Sequence, residues 1–174
     1  MLRGTGLTAS VTQAPGAPAA WVTEAVKPVP RNIYGVTKTA AEDICELVHR
    51  DHGLPVVILR TSRFFPESDD RDAVRESFAD ANLKVNELLY RRVDLADVVS
   101  AHRCALDRAD AVGFGRYIIS ATTPFVPDDL VALHTDAPPV VARHVPAFEA
   151  VYERLGWRMF DTIERVYVLS LIHI

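Results

Sequence analysis

The sequence predicts an α/β fold with a parallel sheet, because a long amphipathic helix leads directly into a buried strand. From Ile33 onward, apolar residues recur at helical spacing, and the run HRDHG supplies basic residues followed by Gly53 as a stop signal. The next run, LPVVILRTS, is apolar and rich in β-branched residues without alternation, as expected for a strand covered on both faces. A helix followed by such a strand is typical of α/β proteins.

The rest of the chain adds further helices and a second strand. Asp94 and Asp97 begin an amphipathic helix, GRYIISA is another apolar strand, and VPDDLVALH begins a short helix after a proline. VPAFEAVYERLGW is predicted to be a last helix that ends at Gly156. The charged run PESDDRDAVRESFADAN is expected to form a surface loop with a short helix near residues 73–78. Residues 1–31 show no period and are predicted to be an irregular lead-in loop.

The composition argues against several classes of function. The 174 residues suffice for one domain, and a net charge of -4 without a basic run gives no attraction for nucleic acid. No apolar stretch approaches the roughly 20 residues that span a bilayer, and no signal peptide is evident, so a cytoplasmic location is expected. The histidines lack ligand spacing, which predicts no metal site. Cys45 and Cys104 are interpreted as small core residues.

A glycine pattern near the start of the chain lacks the context it needs. Residues 4–9, GTGLTA, match the dinucleotide-binding pattern G-x-G-x-x-A. That pattern works when a strand delivers the glycine turn and a following helix points its N-terminus at the pyrophosphate. Only three residues precede Gly4, and VTQAPGAPAA follows in place of a helix. We therefore do not expect this run to bind phosphate.

Tyr34 and Lys38 are the strongest candidates for chemistry. Positions i and i+4 of a helix share a face, so the two side chains can converge on one ligand atom. A neighbouring cation and a helix N-terminus both favour a phenolate, which could take a proton from a substrate hydroxyl while hydride leaves the same carbon. The alternative is two unrelated residues on a helix surface, since such a pair also arises by chance.

Three motifs in order make the sequence resemble a known family. The chain reads YGVTK at residues 34–38, GLPVVILR at residues 53–60 and VDLADV at residues 93–98. This set resembles the extended branch of the short-chain dehydrogenase/reductases, the NAD(P)-dependent epimerase/dehydratase family. The resemblance covers about residues 17–123 and implies an incomplete Rossmann-type parallel sheet with helices, plus a small C-terminal substrate-domain portion.

The resemblance also implies roles for particular residues. Tyr34 would be the catalytic acid or base, and Lys38 would hold the nicotinamide ribose. The backbone at Thr61, Ser62 and Arg63 would pass beside the nicotinamide, so the implied cofactor is NAD or NADP. Arg63, Phe64 and Phe65 could contact a small-molecule substrate, against the alternatives of a surface ion pair for Arg63 and core packing for the phenylalanines. Family members often form homodimers through the Tyr helix and the helix before it, which implies a homodimer in the full-length parent, although that earlier helix is missing here.

The sequence departs from the family pattern in several places. No strand and glycine-rich turn precede the Tyr helix, so residues 32–168 are expected to be the C-terminal part of a longer protein. The active-site Ser or Thr has no secure counterpart, although Thr5, Thr8 and Ser10 are available. The run ELLYRRVD replaces the motif whose Arg holds a nucleotide diphosphate, so a sugar nucleotide substrate is left unsupported. Residues 169–174, within the closing LSLIHI, resemble a translated sequencing adapter and are expected to be a non-native tail.

Three functional hypotheses therefore stay open. The first is an NAD(P)-dependent oxidoreductase or epimerase acting on a hydroxyl-bearing substrate, with sugars and sugar nucleotides among the candidates. The second is a non-catalytic NAD(P)-binding sensor or interaction module. The third is an inert fragment, because the chain alone lacks the phosphate-binding half and is expected to be inactive.

Overall fold

The central pair of parallel strands consists of β2 (Val56–Thr61) and β5 (Phe114–Ile119), in register from Val56 beside Phe114 to Thr61 beside Ile119. A computed structural model describes residues 17–30, 32–66 and 72–169. Helix α1 (Ile33–His52) precedes β2, and helix α4 (Leu95–Val112) precedes β5. These four elements confirm the predicted helix and strand order.

The two long helices begin and end where their sequence signals predict. The Asn32 side chain caps α1 by accepting a hydrogen bond from Gly35 N–H, and Gly53 ends it with a left-handed φ of 65°. Asp94 caps α4 by accepting from Ala96 N–H. Local capping therefore fixes both helix N-termini independently of the packing of the sheet.

Helices α1 and α4 cover opposite faces of this strand pair. Arg60 and Arg116 form ion pairs with Glu42 of α1, whereas Leu59 and Ile119 pack with Val98 of α4. Successive side chains of a strand point to opposite faces, which accounts for this division. The side chains of β2 are only partly buried, so the prediction of a strand fully covered on both faces was wrong. The reason is that α1 contributes no buried residue.

Two shorter parallel pairs accompany the central one. Strand β3 (Arg63–Phe64) pairs with β4 (Arg92–Val93), and β1 (Ala20–Val22) pairs with β6 (Arg165–Tyr167). The prediction of an irregular lead-in was wrong at residues 20–22. Their signal is weak because the strand is three residues long and its partner lies far along the chain.

The larger hydrophobic core lies in the C-terminal part of the chain. Residues of the β1–β6 pair pack there with three helices, α5 (Leu130–Thr135), α6 (Ala137–His144) and α7 (Phe148–Leu155). Helices α2 (Asp72–Ser77) and α3 (Asp80–Leu88) lie between β3 and β4 in the chain. The short helix near residue 73 and the last helix were predicted, whereas α3 and α6 were not.

The two cysteines are not core residues. Cys45 is half-buried and Cys104 is exposed. On α4 the buried positions are Val98 and Ala105, and the residue before Ala105 lies about 100° around the helix from it. The predicted burial of both cysteines was therefore wrong.

Candidate active site

The first turn of α1 holds Tyr34 and Lys38 together. Tyr34 is 40% exposed, and the Lys38 ammonium lies 5.3 Å from the centroid of its ring. The turn is compact at Gly35, where an added Cβ would lie 3.3 Å from both Asn32 Oδ1 and Pro30 Cβ. Glycine next to Tyr34 thus permits the Asn32 cap to close on the helix. The two side chains share one accessible flank of α1, as their spacing predicts.

An ion-pair network ties α1 to the sheet and fixes the position of Tyr34 along it. Arg60 donates two hydrogen bonds to Glu42, at 3.0 and 2.8 Å, and Arg116 donates to Glu42 at 3.2 Å and to Glu46 at 2.5 Å. The hydrogen bond and charge of Arg116 hold the pKa of Glu46 below its usual value. The lowered pKa keeps the Glu46 carboxylate ionised to a lower pH than a glutamate without such a partner.

Chain distances place Tyr34 at the carboxyl edge of the sheet. Tyr34 lies eight residues before Glu42, which is about 12 Å along a helix axis. Ser62 lies two residues beyond Arg60, which is about 7 Å along a strand. Since Glu42 contacts Arg60, Tyr34 stands roughly 5 Å beyond the level of Ser62. Ligands of parallel α/β sheets bind at this edge.

The predicted nicotinamide segment leaves β2 at this edge. Thr61 and Arg63 are half-buried, and Ser62 is buried with its N–H donating to Ile119 O at 2.8 Å. Among the described residues, the Ser62 hydroxyl has no hydrogen-bond partner. The Ser62 hydroxyl of this segment can therefore form a further hydrogen bond.

Phe64 and Phe65 differ in their surroundings. The Phe64 side chain packs against Val93, Val98 and Ile119, as the core-packing alternative expects. Phe65 is half-buried, and its N–H donates to Val93 O at 2.8 Å. Of the two, Phe65 is therefore the better placed to face a ligand.

The sequence reasoning did not single out a buried ion pair behind these phenylalanines. Glu87 and Arg92 both have side chains that are 0% exposed, and two guanidinium nitrogens of Arg92 donate to Glu87 at 2.9 and 2.6 Å. The third nitrogen donates to the carbonyls of Phe64 at 2.6 Å and Phe65 at 3.1 Å. Arg91 also bonds to Glu87. The run ELLYRRVD contains Glu87, Arg91 and Arg92, but nothing in its sequence indicated that these charges pair inside the protein.

Glu24 is a second residue that sequence reasoning missed. Its carboxylate accepts a hydrogen bond from Ile118 N–H at 2.9 Å and so caps the outer edge of β5. Its carbonyl accepts from Arg60 at 3.5 Å. The loop that leads to Tyr34 is thereby attached to the same sheet as α1. No local signal distinguishes this glutamate from a solvated one.

Some predicted features lie outside the described residues. The glycine run at residues 4–9, the candidates Thr5, Thr8 and Ser10, and the acidic run at residues 67–70 are among them. In the described parts of the chain, no three His, Cys, Asp or Glu side chains cluster so as to hold a metal ion. No helix in those parts has the length and apolar character needed to cross a bilayer.

Comparison with known proteins identifies the family. A model of the NAD dependent epimerase/dehydratase family matches residues 7–120, a stretch that contains Tyr34, Lys38 and the segment after β2. The chain belongs to this epimerase/dehydratase family. The cofactor in the family's description agrees with the expectation of NAD or NADP. No curated protein matches the chain.

The solved structure with a TM-score of 0.50 supports the predicted Rossmann-type α/β fold. RMD from Pseudomonas aeruginosa complexed with NADPH is 18% identical, with a TM-score of 0.50 over 95% of this chain and 54% of its own. UDP-N-acetylglucosamine 4-epimerase from Bacillus cereus is 15% identical, with a TM-score of 0.47 over 95% and 52%. A UDP-galactose 4-epimerase is 17% identical, with a TM-score of 0.47 over 97% and 52%. The chain thus spans about half the length of these structures.

Proposed function

We propose that this chain is part of an NAD(P)-dependent oxidoreductase or epimerase that acts on a hydroxyl-bearing substrate. Tyr34 is the catalytic acid or base, and Lys38 holds the nicotinamide ribose. The observation that carries the proposal is the Lys38 ammonium 5.3 Å from the centre of the Tyr34 ring, on an accessible flank of the first turn of α1.

The residues at this edge fit the nicotinamide half of a dinucleotide. Lys38 offers an exposed ammonium for ribose hydroxyls, and Ser62 offers a buried hydroxyl without a partner among the described residues. Both belong to the end of the sheet where dinucleotides bind in this kind of fold. When bound, the oxidised nicotinamide accepts a hydride.

The chain's own residues handle the proton. In oxidation, the Tyr34 oxygen takes the proton of the substrate hydroxyl as a C–H bond breaks at the same carbon, and a C=O bond forms. In reduction, the same phenol returns the proton. Lys38 stabilises the phenolate by its positive charge. Epimerisation follows when the carbonyl is reduced on the face opposite to the one that was oxidised.

The substrate class and the assembly are part of the proposal. A sugar or sugar nucleotide would lie beyond β3, where Arg63 and Phe65 could contact it. Arg92 is committed to Glu87 and two carbonyls, so it does not serve as a diphosphate ligand.

We further propose a homodimer through the outer side of α1, where Ile33 is 83% exposed and Ile44 is 60% exposed.

Binding and turnover variants test the proposal. Reduced nicotinamide mononucleotide, which needs no glycine-rich turn, is titrated into the 174-residue chain and followed by NMR. Lys38→Met should weaken binding several-fold, whereas Lys84→Met on α3 should not. Hydride transfer is measured by the absorbance at 340 nm. The protein used is the one encoded by the longest reading frame that contains this chain, assayed with NAD or NADP and a panel of sugars and sugar nucleotides.

The tyrosine variants separate the open hypotheses. Tyr34→Phe should lower turnover about 10²–10⁴-fold with binding retained, while Tyr117→Phe on β5 serves as the matched control. Nucleotide binding without any turnover in the native protein would favour the sensor. Neither binding nor turnover would favour the inert fragment.

A further inference from the structure

Lys38 stands midway on α1 between two side chains that could hold its ammonium. Tyr34 comes four residues before it and Glu42 comes four residues after it, and residues four apart share one face of a helix. The ammonium lies over the Tyr34 ring, 5.3 Å from its centroid. In the described parts of the chain, no carboxylate forms an ion pair with Lys38. The preference for the ring over the carboxylate therefore needs a cause.

A second lysine shows what this spacing gives when the carboxylate has no other partner. Lys84 of α3 donates to Asp80, four residues before it, at 2.6 Å. Among the residues that the structure describes, Lys84 is the sole partner of the Asp80 carboxylate. Lysine and carboxylate one turn apart thus do pair in this protein. The missing pair between Lys38 and Glu42 has a specific reason.

Two arginines of the sheet occupy the Glu42 carboxylate. Arg60 of β2 donates to both of its oxygens, at 3.0 and 2.8 Å, and Arg116 of β5 donates to one of them at 3.2 Å. The side chains of Arg60 and Glu42 are each 11% exposed. A bidentate pair of arginine and carboxylate is among the strongest hydrogen-bonded contacts between side chains. Glu42 is therefore bound to the sheet rather than to Lys38.

Without these arginines, Glu42 would compete with Tyr34 for the ammonium. Helix side chains lean toward the N-terminus, so that of Glu42 leans toward Lys38. Lysine ahead of glutamate is the weaker order on a helix. At 11% exposure, however, solvent ions screen the attraction less than they do at the surface. An ion pair between Lys38 and Glu42 would draw the ammonium away from the phenol.

We propose that Arg60 and Arg116 are positioning residues for Lys38. By occupying Glu42, they leave the Lys38 ammonium beside the Tyr34 ring. They act through Glu42 and need no contact with a ligand. The inference rests on the proposed function, because Lys38 can stabilise a phenolate and hold a ribose only while its ammonium is unpaired. It differs from a docking role, in which the same ion pairs only attach α1 to the sheet.

NMR of the 174-residue chain without ligand measures where the ammonium lies. The ring current of Tyr34 shifts the ε-methylene signal of Lys38, which the variant Lys38→Met identifies. Arg60→Met should reduce this shift by about half, because an exposed ring contact and a helical ion pair are of comparable strength. Glu42→Gln should leave the shift unchanged, and the combination of Arg60→Met with Glu42→Gln should restore it. The Lys84 signal, which reports the pair on α3, should stay constant throughout.

A docking role gives the opposite pattern. Glu42→Gln would then reduce the shift as much as Arg60→Met, and the double variant would not recover it. Either result would overturn the proposal, as would an unchanged shift in Arg60→Met. The methyl signals of Val98 and Ile119, which pack on the other face of the sheet, report whether each variant is folded. If Arg60→Met does not fold, Arg60→Gln, which keeps a polar group there, is compared with the same expected results.

Binding of reduced nicotinamide mononucleotide keeps this test distinct from that of the proposed function. Arg60→Met should weaken binding about twofold, the factor of one helical ion pair, and Glu42→Gln in the same chain should restore it. If the Lys38 shift behaves as expected while the affinity stays constant, the ribose role of Lys38 fails and the positioning by Arg60 stands. If the shift does not respond, the positioning fails whatever the affinity does.

Discussion

The contribution of the buried Glu87–Arg92 ion pair to the free energy of unfolding can be tested quantitatively. Three variants form a double-mutant cycle: Glu87→Leu, Arg92→Met and the combination. Each single change leaves one charged group in a place where both side chains are 0% exposed. Each should therefore lower the free energy of unfolding by about 3–5 kcal/mol.

The double variant should cost much less than the sum of the single ones. It removes both buried charges together, and two apolar side chains of similar length fill the space. What it still loses is the donor to the carbonyls of Phe64 and Phe65 and the Glu87 acceptor of Arg91. The expected cost is about 1–3 kcal/mol, the price of leaving buried acceptors unpaired. The coupling energy, which is the sum of the two single costs minus the double cost, should then be about 3–9 kcal/mol and at least as large as either single cost.

Urea unfolding monitored by circular dichroism measures these costs. Arg75→Met is the control, because Arg75 pairs with Asp72 on the surface and its loss should change stability by no more than about 1 kcal/mol. Single variants at Glu87 and Arg92 that match this control would refute the reasoning. Additive costs in the double variant would refute it as well.

Three further predictions concern caps and pH. Asn32→Ala and Asp94→Ala should each cost about 1 kcal/mol in urea unfolding, but only Asn32→Ala, which loosens the turn of Tyr34, should weaken mononucleotide binding. Burial alone would raise the pKa of Asp129, but hydrogen bonds from Val126 N–H and His144 and nearby positive charge lower it overall. Its stabilisation is thus present above its unfolded pKa of about 3.9 and lost as pH falls through the lower folded value, so Asp129→Asn should flatten the acid limb of a stability–pH curve. Burial raises the pKa of Tyr152, so its contribution is lost as pH rises above its unfolded pKa of about 10, and Tyr152→Phe should unfold less readily than the native chain in alkali.

The long elements could be predicted because their signals are local. The apolar period, the Asn32 and Asp94 caps and the stop at Gly53 all lie within or beside the helices they define. The convergence of Lys38 on Tyr34 also follows from helical spacing alone. Their catalytic roles stay predictions, because the geometry of one turn does not reveal what binds to it.

Features built from distant partners could not be predicted. Strand β1 finds β6 across most of the chain, and Glu24 finds Ile118 N–H from 94 residues away. The burial of Arg92 depends on the carbonyls of Phe64 and Phe65, which are distant in the sequence. The residues around Arg92 therefore give no sign that its charge is buried.

Helix α1 contacts its own sheet through ion pairs, and its apolar side faces outward. Glu42 and Glu46 face the strands, while Ile33, Val36, Ile44 and Leu47 face away from them. Ile33 and Val36 lie in the same first turn as Tyr34. Any molecule bound to the outer side would therefore contact the turn that holds the phenol. Association on the outer side of α1 would then order the same turn that positions the Tyr34 hydroxyl. The rate of proton transfer would therefore depend on that association.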